Sequence, residues 1–187
     1  MTGQEIWDAL DREEDLHWLY RDQALSPEQI DKALEIEKHL EWLYWKQTLA
    51  PKQIDKALEI GRNLSELYRF QTFPPEQVGK ALEIGEDLDS LYQNQKLSPE
   101  QVSKALEIGE DLYALYKFQK LSPEQVNKAL EIRKDLGWLY EYQIVPFELR
   151  RKTLPEVYQN KEYKTETVTN LEDFLVRLKK YIQNKGE

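Results

Sequence analysis

Side chains able to do covalent chemistry are few in this chain of 187 residues. It holds two histidines, His17 and His39, with 35 carboxylates and no cysteine. The missing cysteine removes disulfides, thiolate zinc sites and cysteine nucleophiles together. His39-Leu40-Glu41 opens like the H-x-E of a zinc deaminase, but no Pro-Cys-x-x-Cys follows it, and no HExxH stands elsewhere. GxSxG, GxGxxG and GxxxxGK[ST] are likewise absent, so the sequence carries no nucleophile elbow, dinucleotide loop or P-loop. Carboxylates this abundant fall beside one another on helices by chance. The expectation is a protein that is not an enzyme, with surface histidines, no cofactor and no metal.

The chemistry that remains is recognition. Trp18 and Asp22, Trp42 and Lys46, Glu66 and Phe70, Ser90 and Asn94, Ala114 and Phe118, and Trp138 and Tyr142 are six pairs spaced i, i+4, which puts each pair on one face of a helix. Trp45 and Tyr113 extend the same side. Large aromatics among Ser, Asn, Asp and Glu are what a protein interface uses. The alternative is that neighbouring segments cover them.

A 24-residue repeat positions these residues. Five units open at Leu25, Leu49, Phe73, Leu97 and Leu121, and residues 1–24 keep the register as a diverged first unit, making six units over 1–144. Ser26, Ser98 and Ser122 read as N-caps with Pro at the first helical position and Gln three residues after the cap. Apolar residues fall at unit positions 6, 9, 10, 12, 16, 19 and 20, a helical spacing throughout, so the fold class is all-α. Gly61, Gly85 and Gly109 at position 13, followed by Asn63, Asp87 and Asp111 at position 15, predict a C-cap and then a new N-cap. That makes each unit a helix-turn-helix. Glu13, Glu37 and Arg133 at position 13 would suit one unbroken helix of ~22 residues instead. Two distinguishable helices per unit are what a two-layer array needs, which favours the hairpin.

Such an array resembles the α-solenoid repeats, and the opening LSPEQV is similar to the start of the repeats in TAL effectors. The likeness covers six residues per unit. It implies a solenoid of stacked helices and no functional residues, since GEDLYALYKFQK at Gly109 to Lys120 has nothing matching the base-reading pair of that family.

Comparison among the six copies separates scaffold from surface. Tyr20, Tyr44, Tyr68, Tyr92, Tyr116 and Tyr140 recur, and Gln23, Gln47, Gln71, Gln95, Gln119 and Gln143 follow three residues later. Uniform positions are those stacking requires, so the expectation is a Tyr packed at each interface and a Gln bonding the backbone of the next loop. Glu28 with Lys32, Glu76 with Lys80, Glu100 with Lys104 and Glu124 with Lys128 are spaced for i, i+4 pairs.

The net charge is −9, with 28 acidic and 17 basic residues in 1–144, whereas 145–187 hold 7 and 9. An acidic surface argues against direct nucleic-acid binding. No run of ~18 apolar residues spans a membrane, and MTGQEIWDALDREEDLHWLY reads as no signal peptide, so the compartment expected is cytoplasmic. Residues 145–187, with Arg150, Arg151, Lys152, Lys179 and Lys180 and an amphipathic segment Leu171 to Ile182 behind Asn170, read as a helical C-terminal cap. The function expected is binding of another protein through Trp18, Trp42, Trp45, Phe70, Tyr113, Phe118, Trp138 and Tyr142, as adaptor, regulator or inhibitor. The rival is an acidic DNA mimic that inhibits a nucleic-acid-binding enzyme.

Overall fold

The computed structural model of the protein describes residues 1–146 and Leu149. Among them are twelve helices and no strand, arranged as six pairs. The pairs are α1 Gly3–Arg12 with α2 Leu16–Asp22, α3 Pro27–Ile36 with α4 Leu40–Lys46, and α5 Pro51–Ile60 with α6 Leu64–Phe70. After them come α7 Pro75–Ile84 with α8 Leu88–Asn94, α9 Pro99–Ile108 with α10 Leu112–Phe118, and α11 Pro123–Ile132 with α12 Leu136–Tyr142. The protein is an all-α helical-repeat solenoid whose 24-residue unit is a ten-residue helix followed by a seven-residue one. The tail expected to cap the array, including Asn170 and the segment Leu171 to Ile182, lies outside the described residues.

The first helix of a unit starts as its residues dictate. Ser26 Oγ accepts from the Gln29 N–H at 3.3 Å while Gln29 Oε1 accepts from the Ser26 N–H at 2.9 Å, and Ser98 with Gln101 and Ser122 with Gln125 repeat this exchange. The helix ends at position 13 in the left-handed region, with φ between 55° and 75° at Glu13, Glu37, Gly61, Gly85, Gly109 and Arg133. Glycine suits that conformation, and the three non-glycine copies adopt it nevertheless. Glu and Arg there therefore end the helix as Gly does, and the one-helix reading fails.

Position 15 is a second left-handed residue: Asp15, His39, Asn63, Asp87, Asp111 and Asp135 have φ between 47° and 53°. None of them caps the following helix with its side chain, contrary to the expectation for Asn63, Asp87 and Asp111. A side-chain cap works from an extended backbone. Asn and Asp serve here because they tolerate the left-handed well better than other residues bearing a β-carbon.

The described chain forms two compact units, Met1–Gln101 and Val102 onward. In the first, first helices pack on first helices (α1 on α3, α3 on α5, α5 on α7) and second helices on second helices (α2 on α4, α4 on α6, α6 on α8). In the second, α12 packs on both α10 and α11. The core is the set of recurring apolar positions, for example Ile54, Ala57, Leu58, Leu64, Leu67 and Tyr68, all buried. Position 12 is only partly covered, and Ile84 keeps 38% of its surface exposed.

Candidate functional site: the exposed face of the second helices

Burial separates the two sets of aromatics. Tyr20, Tyr44, Tyr68, Tyr92 and Tyr116 are fully buried, whereas Trp18, Trp45, Phe70, Tyr113, Phe118, Trp138 and Tyr142 are among the exposed large side chains of the molecule. Trp42 is half-buried, its ring 5.2 Å from that of Trp45. The reason is the helix itself. Leu16, Leu19 and Tyr20 and their copies take the inward stripe, which leaves positions 17, 18, 21 and 22 pointing outward. One member of the outward set is covered, since Ala114 at position 18 is 1% exposed.

Position 21 of one unit meets position 22 of the next, and position 17 meets position 18. Trp45 thus lies 6.1 Å from Phe70, Ser65 Oγ lies 2.8 Å from Ser90 Oγ, and Tyr113 lies 6.1 Å from Trp138. Two aromatic clusters result. In the first compact unit Trp42, Trp45 and Phe70 form a continuous patch. In the second, Tyr113, Trp138 and Tyr142 do so, with the Trp138 and Tyr142 rings stacked at 5.6 Å. Trp18 stands with His17, 5.3 Å away, and forms part of the wall of a cavity of about 410 Å3 together with Asp8, Arg12 and Asp22. The two histidine rings lie 5.6 Å apart, His39 Nδ1 is 3.6 Å from Glu41, and of the two histidines expected at the surface His39 is exposed and His17 half-buried.

The spacing of the aromatics gave no hint of the cations that lie over them. Arg21 lies 3.7 Å over Trp18, Lys46 3.7 Å over Trp45 and Arg69 5.2 Å over Phe70. Lys117 lies 5.0 Å from Phe118, 5.7 Å from Trp138 and 6.0 Å from Tyr142. Cation–π contact of this kind stabilises each pair by about 0.5–1 kcal/mol at an exposed site. Arg21 alone among these four also grips a carboxylate, with Nε and Nη2 at 2.7 and 2.8 Å from Asp22. The available signal was adjacency: Lys46, Arg69 and Lys117 each sit next in sequence to a ring they cover.

The glutamines serve the scaffold. They bond backbone as expected but not that of the next loop: Gln71 Nε2 donates to the carbonyls of Tyr44 and Gln47 in the preceding unit at 2.5 and 2.8 Å, and its Oε1 accepts from the N–H of Leu49, the first residue of its own unit, at 2.9 Å. Gln47, Gln95 and Gln143 make the same three bonds one or more units along. A second glutamine series was not foreseen in this role: besides closing the capping box, Gln53 Nε2 reaches the Pro27 carbonyl at 2.8 Å, and Gln101 Nε2 reaches that of Pro75 at 2.6 Å.

The lysines at position 8 depart from expectation. Glu76 and Lys80 form the i, i+4 pair at 3.4 Å. Lys80 is closer to Asp55 of the unit before, at 2.7 Å, and Lys32, Lys56 and Lys128 likewise reach back to Asp11, Glu35 and Glu107 at 3.6, 3.3 and 2.7 Å. The Lys80 ammonium, and secondarily the Gln77 amide, hold the Asp55 carboxyl below its ordinary range. Glu28 and Glu124 instead turn to the helix start, where their own backbone N–H and then the Ser26 or Ser122 hydroxyl lower their pKa.

Among the described residues no three His, Asp or Glu side chains converge as metal ligands would, and no helix is long and apolar enough to cross a membrane. No protein-family model, curated protein or solved structure matches this chain.

Proposed function

We propose that this protein is a non-enzymatic helical-repeat module that binds another protein through the exposed aromatic side chains of its second helices. One observation carries the reading: of the eight aromatics that vary at the outward positions of the second helices, seven are exposed and Trp42 is half-buried, while the recurring tyrosines are buried. Packing requires the second set and leaves the first without a structural task. Clustered Trp and Tyr with rim cations have the composition of an interface centre. The contact residues are Trp18, Trp42, Trp45, Phe70, Tyr113, Phe118, Trp138 and Tyr142, and no cofactor is involved. The rival, an acidic DNA mimic, needs a field of free carboxylates; Asp11, Glu13, Glu35, Glu37, Asp55 and Glu107 are engaged by basic side chains instead.

Photo-crosslinking inside the native host tests the reading. A benzophenone side chain replacing Trp45 or Trp138 is expected to capture another protein, and the same group replacing Glu59, on an exposed part of α5, is not. Trp45→Ala should then weaken the captured complex by about 1–2 kcal/mol with the helical signal unchanged. Equal capture from Glu59, or none from the aromatic positions, rejects the interface. Release of the partner by neutralising Glu86, Asp87, Glu110 and Asp111, together with steep salt dependence and competition by DNA, would establish the mimic instead.

A further inference from the structure

The cations of the molecule are distributed unevenly between two kinds of partner. The first helices hold 7 basic and 14 acidic residues, the turns that follow them 4 and 9, and the second helices 4 and 5. Nearly all of the acidic excess therefore lies off the second helices. Six basic residues elsewhere, Lys32, Lys38, Lys56, Arg62, Lys80 and Lys128, each pair with an acid of the preceding unit, and Lys134 donates to the Gly109 carbonyl. On the second helices Arg21, Lys46, Arg69 and Lys117 lie over rings, and of these Arg21 also pairs with a carboxylate, that of Asp22. Lys46 and Arg69 lie over Trp45 and Phe70 and form no ion pair among the described residues, although acids outnumber bases in the chain by nine.

That difference has a chemical meaning. A carboxylate cancels the charge it pairs with, whereas an aromatic face holds a cation by its quadrupole and leaves the charge, with its outward N–H donors, available. The Trp42–Trp45–Phe70 patch accordingly presents apolar area flanked by two uncancelled cations. Glu66 stands one turn before Phe70 on the same helix face and Glu41 precedes Trp42, neither of them paired with Lys46 or Arg69, and acids beyond about 8 Å are largely screened from the patch at physiological ionic strength. We infer that this patch takes an acidic peptide segment of a partner protein, in which carboxylates stand beside apolar or aromatic side chains. The apolar groups lie on Trp42, Trp45 and Phe70, and the carboxylates meet Lys46 and Arg69. The inference rests on the protein-binding reading above and adds the partner's chemistry. A nucleic acid fits less well, because its affinity comes from neutralising many phosphates, and two cations on a chain of net charge −9 offer few.

Selection of a random-peptide display library on the full-length protein tests this. The expected result is enrichment of Asp and Glu next to Leu, Phe or Trp. A fluorescent synthetic copy of a selected peptide should bind with an affinity that falls roughly ten-fold or more when its acids are replaced by the corresponding amides, and also in Lys46→Gln/Arg69→Gln. Those two exposed substitutions leave the core untouched, and circular dichroism and the thermal midpoint verify the fold. Peptides that need Trp45 and Phe70 but show no acidic preference, or that bind Lys46→Gln/Arg69→Gln as tightly, overturn the inference and spare the protein-binding reading. Peptides indifferent to Trp45→Ala and Phe70→Ser, or no enrichment at all, reject both. Oligo(dT) that binds more tightly than the peptide and is lost with Lys46→Gln/Arg69→Gln assigns the patch to nucleic acid and overturns the inference.

Discussion

Tyr68 shows how a residue can be legible in role and illegible in detail. Its recurrence at position 20 marks it as scaffold, and it is fully buried with its ring edge-on to Phe73 at 5.6 Å. Its hydroxyl, however, has no hydrogen-bond partner. Burial, and after it the nearby Asp87 and Glu86 carboxylates, push the phenol above its ordinary value near 10, so the site resists added polarity and negative charge alike. Removing the oxygen while keeping the ring should relieve that cost. Tyr68→Phe is expected to stabilise the protein by about 1–2 kcal/mol in urea unfolding. A loss of stability would mean that the hydroxyl is satisfied in solution. The lone oxygen depends on what neighbouring units place around it, and no spacing rule carries that information. The exposed aromatics were legible for the opposite reason: an outward position on a short helix follows from its distance to the leucines.

At the scale of the element, the first helix was readable nearly to the residue in the units that open with Ser26, Ser98 and Ser122, because Ser, Pro and Gln fall there where capping physics requires them. The turn was readable in outline only. Glycine at position 13 pointed to it, while the second left-handed residue two positions later resembles a side-chain cap in sequence and differs from one only in φ. The capping rule also shows where the chain is locally suboptimal. Ala50 has φ −69° and ψ 158°, against −69° and 160° at Ser26, and its N–H already donates to Gln53 Oε1 at 2.9 Å. Half of the reciprocal pair is in place and the hydroxyl is missing. Ala50→Ser should therefore raise stability by about 1 kcal/mol, measured as the denaturation midpoint at constant m-value. A neutral or destabilising result would indicate that the Ala50 site excludes the Oγ that Ser26 accommodates.

For the molecule as a whole, the repeat count followed from the 24-residue period, and the recurring Gln pointed to a bond with a loop backbone, whereas the direction of that bond and the atoms it joins did not follow. Periodicity says that units stack and leaves open which polar groups join them. Gln71 supplies the clearest tie. Gln71→Ala would strand the Tyr44 and Gln47 carbonyls and the Leu49 N–H, and at about 1–3 kcal/mol for each buried group left unpaired the cost should reach about 3 kcal/mol or more. Chemical denaturation checks this, and a change below about 1 kcal/mol would mean that water replaces the amide. The glutamine series also has a direction, since in Gln47, Gln71, Gln95 and Gln143 the Nε2 points to the lower-numbered neighbour and the Oε1 binds the opening N–H of its own unit. Residues 49–72 therefore present on one side the donors that match the acceptors on their other side. The chain is thus a sentence whose words all end in the letter the next one begins with: a gene duplication that copies 24 codons, or any multiple of them, lengthens it without a grammatical error, and any other length breaks it.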